Sequence, residues 1–205
     1  MKKRIAVWTL IFAIMISVLM LPSCSGKAPE LQDVKDRFVY LIEGSKRINT
    51  LFFGSGLPIY DREDILVREI GVYYDDEYTA YNKVVENAGY ISIDHIKDEA
   101  EKIYSKGYLD AIYETAFEGY LTGNTSAYIR FFETTDWLLQ NREAADFGLS
   151  ERIYDYSTMK MVTPSSDKYI NVTIESYTLE NSKRKTVSLS FIYERGNWYL
   201  DTPTY

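Results

Sequence analysis

Tyr169-Ile-Asn-Val-Thr-Ile-Glu-Ser-Tyr-Thr178 alternates Ile170, Val172 and Ile174 with Asn171, Thr173 and Glu175. Thr186-Val-Ser-Leu-Ser-Phe-Ile-Tyr193 repeats the pattern, with Val187, Leu189, Phe191 and Tyr193 in register. A period of two places each apolar set on one face of a strand, so both stretches read as strands covering a core. Arg195-Gly196-Asn197 predicts a hairpin turn into Trp198-Tyr199-Leu200, and Asp201-Thr202-Pro203 ends the sheet. Upstream, Ile153–Val162 and Ala127–Phe132 read as further strands. Strands joined by short turns give an antiparallel sheet with one apolar face.

Ahead of the strands the period changes. Leu31, Val34, Phe38, Leu41, Ile48 and Leu51 or Phe52, with Ser45 between, follow a 3-4 spacing over about six helical turns. Pro29 opens this helix and Gly54 closes it. Gly54-Ser55-Gly56-Leu57-Pro58 is then a turn. A phosphate-cradling loop follows a strand and opens a helix, whereas this Gly-x-Gly follows a helix and runs into a proline. Ile65 to Tyr81 is mixed, with Asp75-Asp76-Glu77 at a turn. Ser92 caps a second helix carrying Ile93, Ile96, Ala100 and Ile103 on one face, and Gly107 breaks it. A third helix carries Leu109, Ile112, Tyr113, Ala116, Phe117 and Tyr120 and ends at Gly123-Asn124. Helices first and strands afterwards predict an α+β domain, N-terminal helices packed on one face of a C-terminal antiparallel sheet.

The first 24 residues read differently. Lys2, Lys3 and Arg4 precede the apolar run Ile5 to Leu21, the layout of a secretion signal. Leu21-Pro22-Ser23-Cys24 resembles the lipobox of bacterial lipoproteins, and Cys24 is the only cysteine of the 205 residues. That resemblance implies diacylglyceryl transfer to the Cys24 thiol, cleavage before Cys24 and acylation of the new N-terminus. The expected organisation is a signal peptide over 1–23, an acylated cysteine and polar tether over 24–28, and one α+β domain over 29–205. Each buried CH₂ of an acyl chain contributes about 0.8 kcal/mol, so two or three chains hold a domain at a membrane without a spanning helix. The expected location is the extracytoplasmic face of the cell membrane.

The order of helix, helical pair and long strands closing on Gly196-Asn197-Trp198 resembles the NTF2-like, cystatin-like fold. The Phe53-Gly-Ser-Gly-Leu-Pro58 segment and the Trp198–Asp201 ending are similar to uncharacterised lipoproteins of Gram-positive gut bacteria. That fold hosts enzymes, ligand carriers and binding modules alike, and no catalytic residue carries over from it.

Composition narrows the chemistry. Three of the 23 basic residues and none of the 30 acidic ones fall before residue 24, so the remainder has a net charge of −10. That balance argues against nucleic acid and against a basic patch on anionic lipid. A single cysteine excludes an intramolecular disulfide and a cysteine-based zinc site. His95 is the only histidine, near the start of the second helix beside Asp94 and Asp98, and reads as a solvated helix residue. Asp61, Glu63 and Asp64, and Asp75, Asp76 and Glu77, cluster in loops. A glycosidase needs two carboxylates about 5–9 Å apart across a cleft, and contiguous acids in a loop splay apart. Neither cluster matches the Asp-x-Asp-x-Asp-Gly calcium loop.

The aromatic content is unusual, with 19 Tyr, nine Phe and three Trp. Such side chains supply rigid amphipathic contact area to interfaces and sugar-facing clefts. Phe53, Tyr60 and Trp137 are the candidate binding rim. The expectation is a membrane-tethered, non-catalytic module for an envelope protein or glycan, with no cofactor or metal. The alternatives are a carboxylate enzyme acting on envelope glycans, and a small-ligand carrier with an apolar pocket between the first helix and the sheet.

Overall fold

The computed structural model describes residues 26–60, 81–118, 121–122, 125–126, 129–141 and 148–205. In chain order the elements are α1 (Leu31–Phe53), β1 (Tyr81–Lys83), α2 (Ile93–Glu101), α3 (Lys106–Tyr113), a π-helical turn (Glu114–Glu118), β2 (Leu121–Thr122), β3 (Thr125–Ser126), β4 (Phe131–Glu133), β5 (Leu138–Asn141), β6 (Arg152–Val162), β7 (Tyr169–Thr178), β8 (Lys185–Glu194) and β9 (Asn197–Leu200). None of the described helices is long and apolar enough to cross a membrane.

The 3-4 stripe makes α1 the spine of the core. Val34, Phe38, Leu41, Ser45, Ile48, Leu51 and Phe52 are all buried, and Ile42 and Asn49 widen the stripe. Pro29 lies just outside the helix, because Glu30 takes the N-cap position. At the other end the Gly54 N–H donates to Thr50 O at 3.0 Å. The Arg130 guanidinium donates to Leu51 O at 2.8 Å and to Gly54 O. A buried cation there satisfies orphan carbonyls and faces the negative end of the helix dipole.

Strands β6, β7, β8 and β9 form a four-stranded antiparallel meander in sequence order. Ile170 pairs with Phe191, Val172 with Leu189 and Ile174 with Val187, which keeps both alternating sets on one face. That face meets α1. The Phe38 ring stacks on Phe191 with centroids 3.8 Å apart and meets Trp198 edge-on at 5.8 Å. The β8–β9 loop is Arg195-Gly196, with φ of 49° and 78°. Two central residues of positive φ give the turn type whose twist suits a two-residue hairpin, and Asn197 becomes the first residue of β9.

The C-terminal tail closes the core through hydroxyl and amide groups. Thr204 Oγ1 lies 2.6 Å from Ser45 Oγ and accepts from Asn49 Nδ2 at 2.7 Å. Tyr104 donates its hydroxyl to Asn49 Oδ1 at 2.6 Å, and Tyr154 donates to Thr204 O at 2.9 Å. Burial pushes the Tyr104 hydroxyl up to about 12, so it remains a donor over the working pH range.

Four details differ from the sequence reading. The second helix ends at Glu101, and Gly107 sits inside the first turn of α3. The break falls earlier because residues 103–105 run beside the free edge of β9: Leu200 N–H donates to Ile103 O at 2.9 Å and Ser105 N–H to Leu200 O at 2.8 Å. Ser105 then caps α3 by accepting from Tyr108 N–H. The third helix, expected to run to Gly123-Asn124, ends as an α-helix at Tyr113, continues as the π-helical turn Glu114–Glu118 and gives way to β2 at Leu121. The strand expected over 127–132 is Phe131–Glu133 among the described residues, and its partner β5 was not foreseen. Strand β5 escapes an alternation test because Leu138, Leu139, Gln140 and Asn141 are all buried. Lastly, β1, β5 and β4 form a separate three-stranded antiparallel sheet in the order β1-β5-β4, and β2 and β3 pair with each other. The molecule is thus an α+β fold built on two principal antiparallel sheets rather than one.

Candidate functional site

The small sheet assembles the candidate site. Tyr60 N–H donates to Lys83 O at 2.9 Å, and Val85 N–H donates to Pro58 O at 3.1 Å. Val84 N–H in turn donates to Leu138 O at 2.9 Å. Residues 58–60, 83–85 and 138 therefore lie side by side, although they are far apart in the chain. Gln140 fastens the first of these segments: its Oε1 accepts from Leu57 N–H at 2.6 Å and its Nε2 donates to Ser55 O at 3.2 Å. Gly56 has a φ of 77°, and a Cβ there would fall 2.3 Å from Gln140 Oε1. The Gly-x-Gly stretch is thus the turn that lets this amide close over the backbone.

Trp137 stands at the β4–β5 turn. Its N–H donates to Thr134 Oγ1 at 3.0 Å, and Thr134 N–H returns to Trp137 O at 2.9 Å. The Lys83 ammonium lies 3.4 Å from the Trp137 ring centroid and 5.4 Å from that of Tyr60. Lys83 is only 7 % exposed, yet Trp137 remains 42 % exposed. A desolvated ammonium over indole is held by the ring quadrupole, worth about 2 kcal/mol in such a setting. Glu86 completes the group by accepting from Lys83 Nζ and from the Tyr60 hydroxyl. Those bonds, the one from Lys83 foremost, hold the Glu86 carboxyl down to about 2. Two amphipathic rings thus border a satisfied Lys–Glu pair, with the indole open to solvent.

Two of the three rim residues named from sequence are brought together here. Phe53 is placed elsewhere: its ring packs on Tyr205 with centroids 5.0 Å apart and on Phe52 at 6.4 Å. Lys83 and Glu86 were missed. Their spacing of three is visible in the sequence, but burial of Lys83 against Trp137 depends on a strand pairing that no local pattern announces.

His95 lies in the first turn of α2, its backbone N–H capped by Ser92 Oγ at 3.0 Å. Its ring packs on Tyr90 with centroids 5.4 Å apart, so it is a half-buried packing residue rather than a fully solvated one. Cys24 and the acids Asp61, Glu63, Asp64, Asp75, Asp76 and Glu77 lie outside the described residues. Among the described residues no group of three His, Cys, Asp or Glu side chains is placed to hold a metal ion.

Two open clefts flank α1. One, of about 320 Å³, is bordered by Lys46, Asn49, Glu151, Arg152 and Tyr205. The other, of about 360 Å³, is bordered by Tyr40, Glu43, Arg47, Glu99 and Lys102. Lys46 is paired with Glu43 at 2.8 Å and Glu151 at 3.5 Å, and Arg47 with Glu99 at 2.6 Å. In the second cleft Glu43 and Glu99 balance Arg47 and Lys102 and leave little net field for a charged ligand, whereas the first also carries Arg152, whose Nη1 donates to Ser176 Oγ at 3.1 Å. The space between α1 and the large sheet is filled by Phe38, Leu41, Phe191 and Trp198.

No protein-family model matches the chain, and no curated protein matches it.

Proposed function

We propose that this chain is a bacterial lipoprotein whose α+β domain is a non-catalytic binding module, held on the extracytoplasmic face of the cell membrane through acylated Cys24. Its ligand is an envelope protein or glycan taken on the surface of Trp137 and Tyr60. The observation that carries this reading is the convergence of those two rings on the Lys83 ammonium, next to Glu86. An exposed indole bordered by hydrogen-bonding groups offers a stacking platform with directional polar contacts, the chemistry that sugars and interface loops require. We assign the domain to the NTF2-like folds on the strength of a long N-terminal helix crossing an antiparallel meander that ends in Gly196-Asn197-Trp198. The carrier reading is weakened by the filled space behind α1.

The test is sedimentation of the lipidated protein with purified cell-wall glycan, together with capture from envelope extract. Trp137→Ala should weaken binding by about 2 kcal/mol, roughly thirty-fold, as loss of an aromatic anchor does. Undiminished binding by Trp137→Ala would move the contact surface elsewhere. Turnover of glycan or ester substrates that one carboxylate substitution abolishes would replace the binding reading with an enzymatic one.

A further inference from the structure

Gly26, the first described residue, is fastened to the turn between β6 and β7. Its carbonyl accepts from Asp167 N–H at 3.1 Å. The contact is close, since a Cβ at residue 26 would fall 2.7 Å from Asp167 Cγ. The turn is itself well tied. Ser166 Oγ accepts from the N–H groups of Lys168 and Tyr169, each at 3.2 Å. Ser165 Oγ donates to Val162 O at 2.7 Å and accepts from Asn171 N–H at 3.1 Å, while Asn171 Nδ2 donates to Pro164 O at 2.9 Å. Cys24 is two residues before Gly26, a reach of at most about 7 Å of chain. Chain length therefore keeps an anchor at Cys24 within about 7 Å of the turn-bound Gly26.

The long axes of the molecule start from the same end. Helix α1 begins at Leu31 and its 23 residues run about 35 Å. Strand β7 leaves the turn at Tyr169 and its ten residues run about 33 Å. The two travel in the same sense. Phe38, early in α1, stacks on Phe191, which pairs with Ile170 at the start of β7. Ser45 and Asn49, later in α1, meet Thr204, which binds Tyr154 opposite Ser176 near the end of β7. The small sheet is joined to the far end, where Arg130 closes the last carbonyls of α1 and Gln140 holds residues 55–57.

We propose that the β6–β7 turn seats against the phospholipid headgroups, so that the large sheet stands away from the bilayer and the Trp137 surface is presented outward. The inference rests on the acylation of Cys24 proposed above. The lipid-facing end includes Thr163, Pro164 and Lys168, all exposed, with Lys27 on the tether and the exposed β8–β9 turn Arg195-Gly196-Asn197 beside them, since Tyr193 N–H donates to Lys168 O at 2.9 Å. Lys27 is paired with Glu30 at 3.4 Å and Asp167 adjoins Lys168, so the seat follows from the short tether rather than from charge.

The experiment uses the full lipidated protein in vesicles of phosphatidylcholine and phosphatidylglycerol carrying a nitroxide on the headgroup. The acylated Cys24 thiol is blocked, so a fluorophore can be placed on Thr163→Cys at the turn or on Ser182→Cys at the β7–β8 turn. Quenching should be several-fold stronger at position 163 than at 182. A flexible Gly-Ser spacer inserted between Ser25 and Gly26 should abolish the difference while the protein still floats with the vesicles. Equal quenching at the two positions in protein that floats would overturn the orientation alone. A difference that survives the spacer would overturn the tether as its cause. Failure to float would overturn both the anchoring and the orientation.

Discussion

The Glu86 carboxyl, held near 2 by Lys83 and Tyr60, makes the candidate site sensitive to acid. Its folded value lies below the ordinary 4.5, so its contribution to stability is fully present above that pH and fades as the pH falls toward about 2. Glu86→Gln should therefore be less stable than the wild type at neutral pH, and the gap should narrow steadily below pH 4.5. Urea unfolding of both proteins across that range checks it, and a gap independent of pH would show that Glu86 is not held by these bonds. Tyr60 and Trp137 could be picked out in the sequence because amphipathic aromatics in loops are a recognisable type. Lys83 could not, since a lysine in an apolar stretch reads the same whether its ammonium meets water or indole.

Helix α1 was legible nearly residue by residue, because a helix repeats its core contacts every three or four positions. Phe38 is fully buried against Phe191 and Trp198. Phe38→Ala should cost about 3–5 kcal/mol, read from the denaturant midpoint. A loss below about 1 kcal/mol would mean that the ring is not part of this stack. The tail that closes α1 was not legible. Thr204 lies more than 150 positions from Ser45 and Asn49, and a threonine at the next-to-last position carries no periodic signal. Thr204→Val keeps the volume while removing the hydroxyl that meets both partners. It should cost about 1–3 kcal/mol, the usual penalty for stranding buried polar groups. An unchanged midpoint would show that Ser45 and Asn49 find other partners. The early break before α3 has the same character, for it arises from residues 103–105 pairing with β9 and not from Gly107.

At the scale of the whole molecule, the proposed anchor yields a direct expectation: Cys24→Ser removes the thiol that acylation needs, so the protein should leave the membrane fraction or accumulate unprocessed. Normal processing and intact membrane association of that variant would sink the lipoprotein reading. Signal-like segments can be read directly because they are recognised as extended chain, by charge, apolar length and the residues around one cleavage point. The same holds for the class of the fold, since the 3.6 and 2.0 periods are properties of consecutive residues. By itself, then, the sequence determined the α+β class, the course of α1 to within two residues at its start, β7 and the β8–β9 hairpin, and it marked Phe53, Tyr60 and Trp137 as rim candidates. Only the tertiary structure decided that the strands divide between two sheets, that Trp137 and Tyr60 share one lysine while Phe53 packs elsewhere, and that Gly26 rests on the β6–β7 turn. Each of these depends on partners distant in the chain, and which of them meet is settled by burial and hydrogen bonding across the fold, which no local pattern encodes.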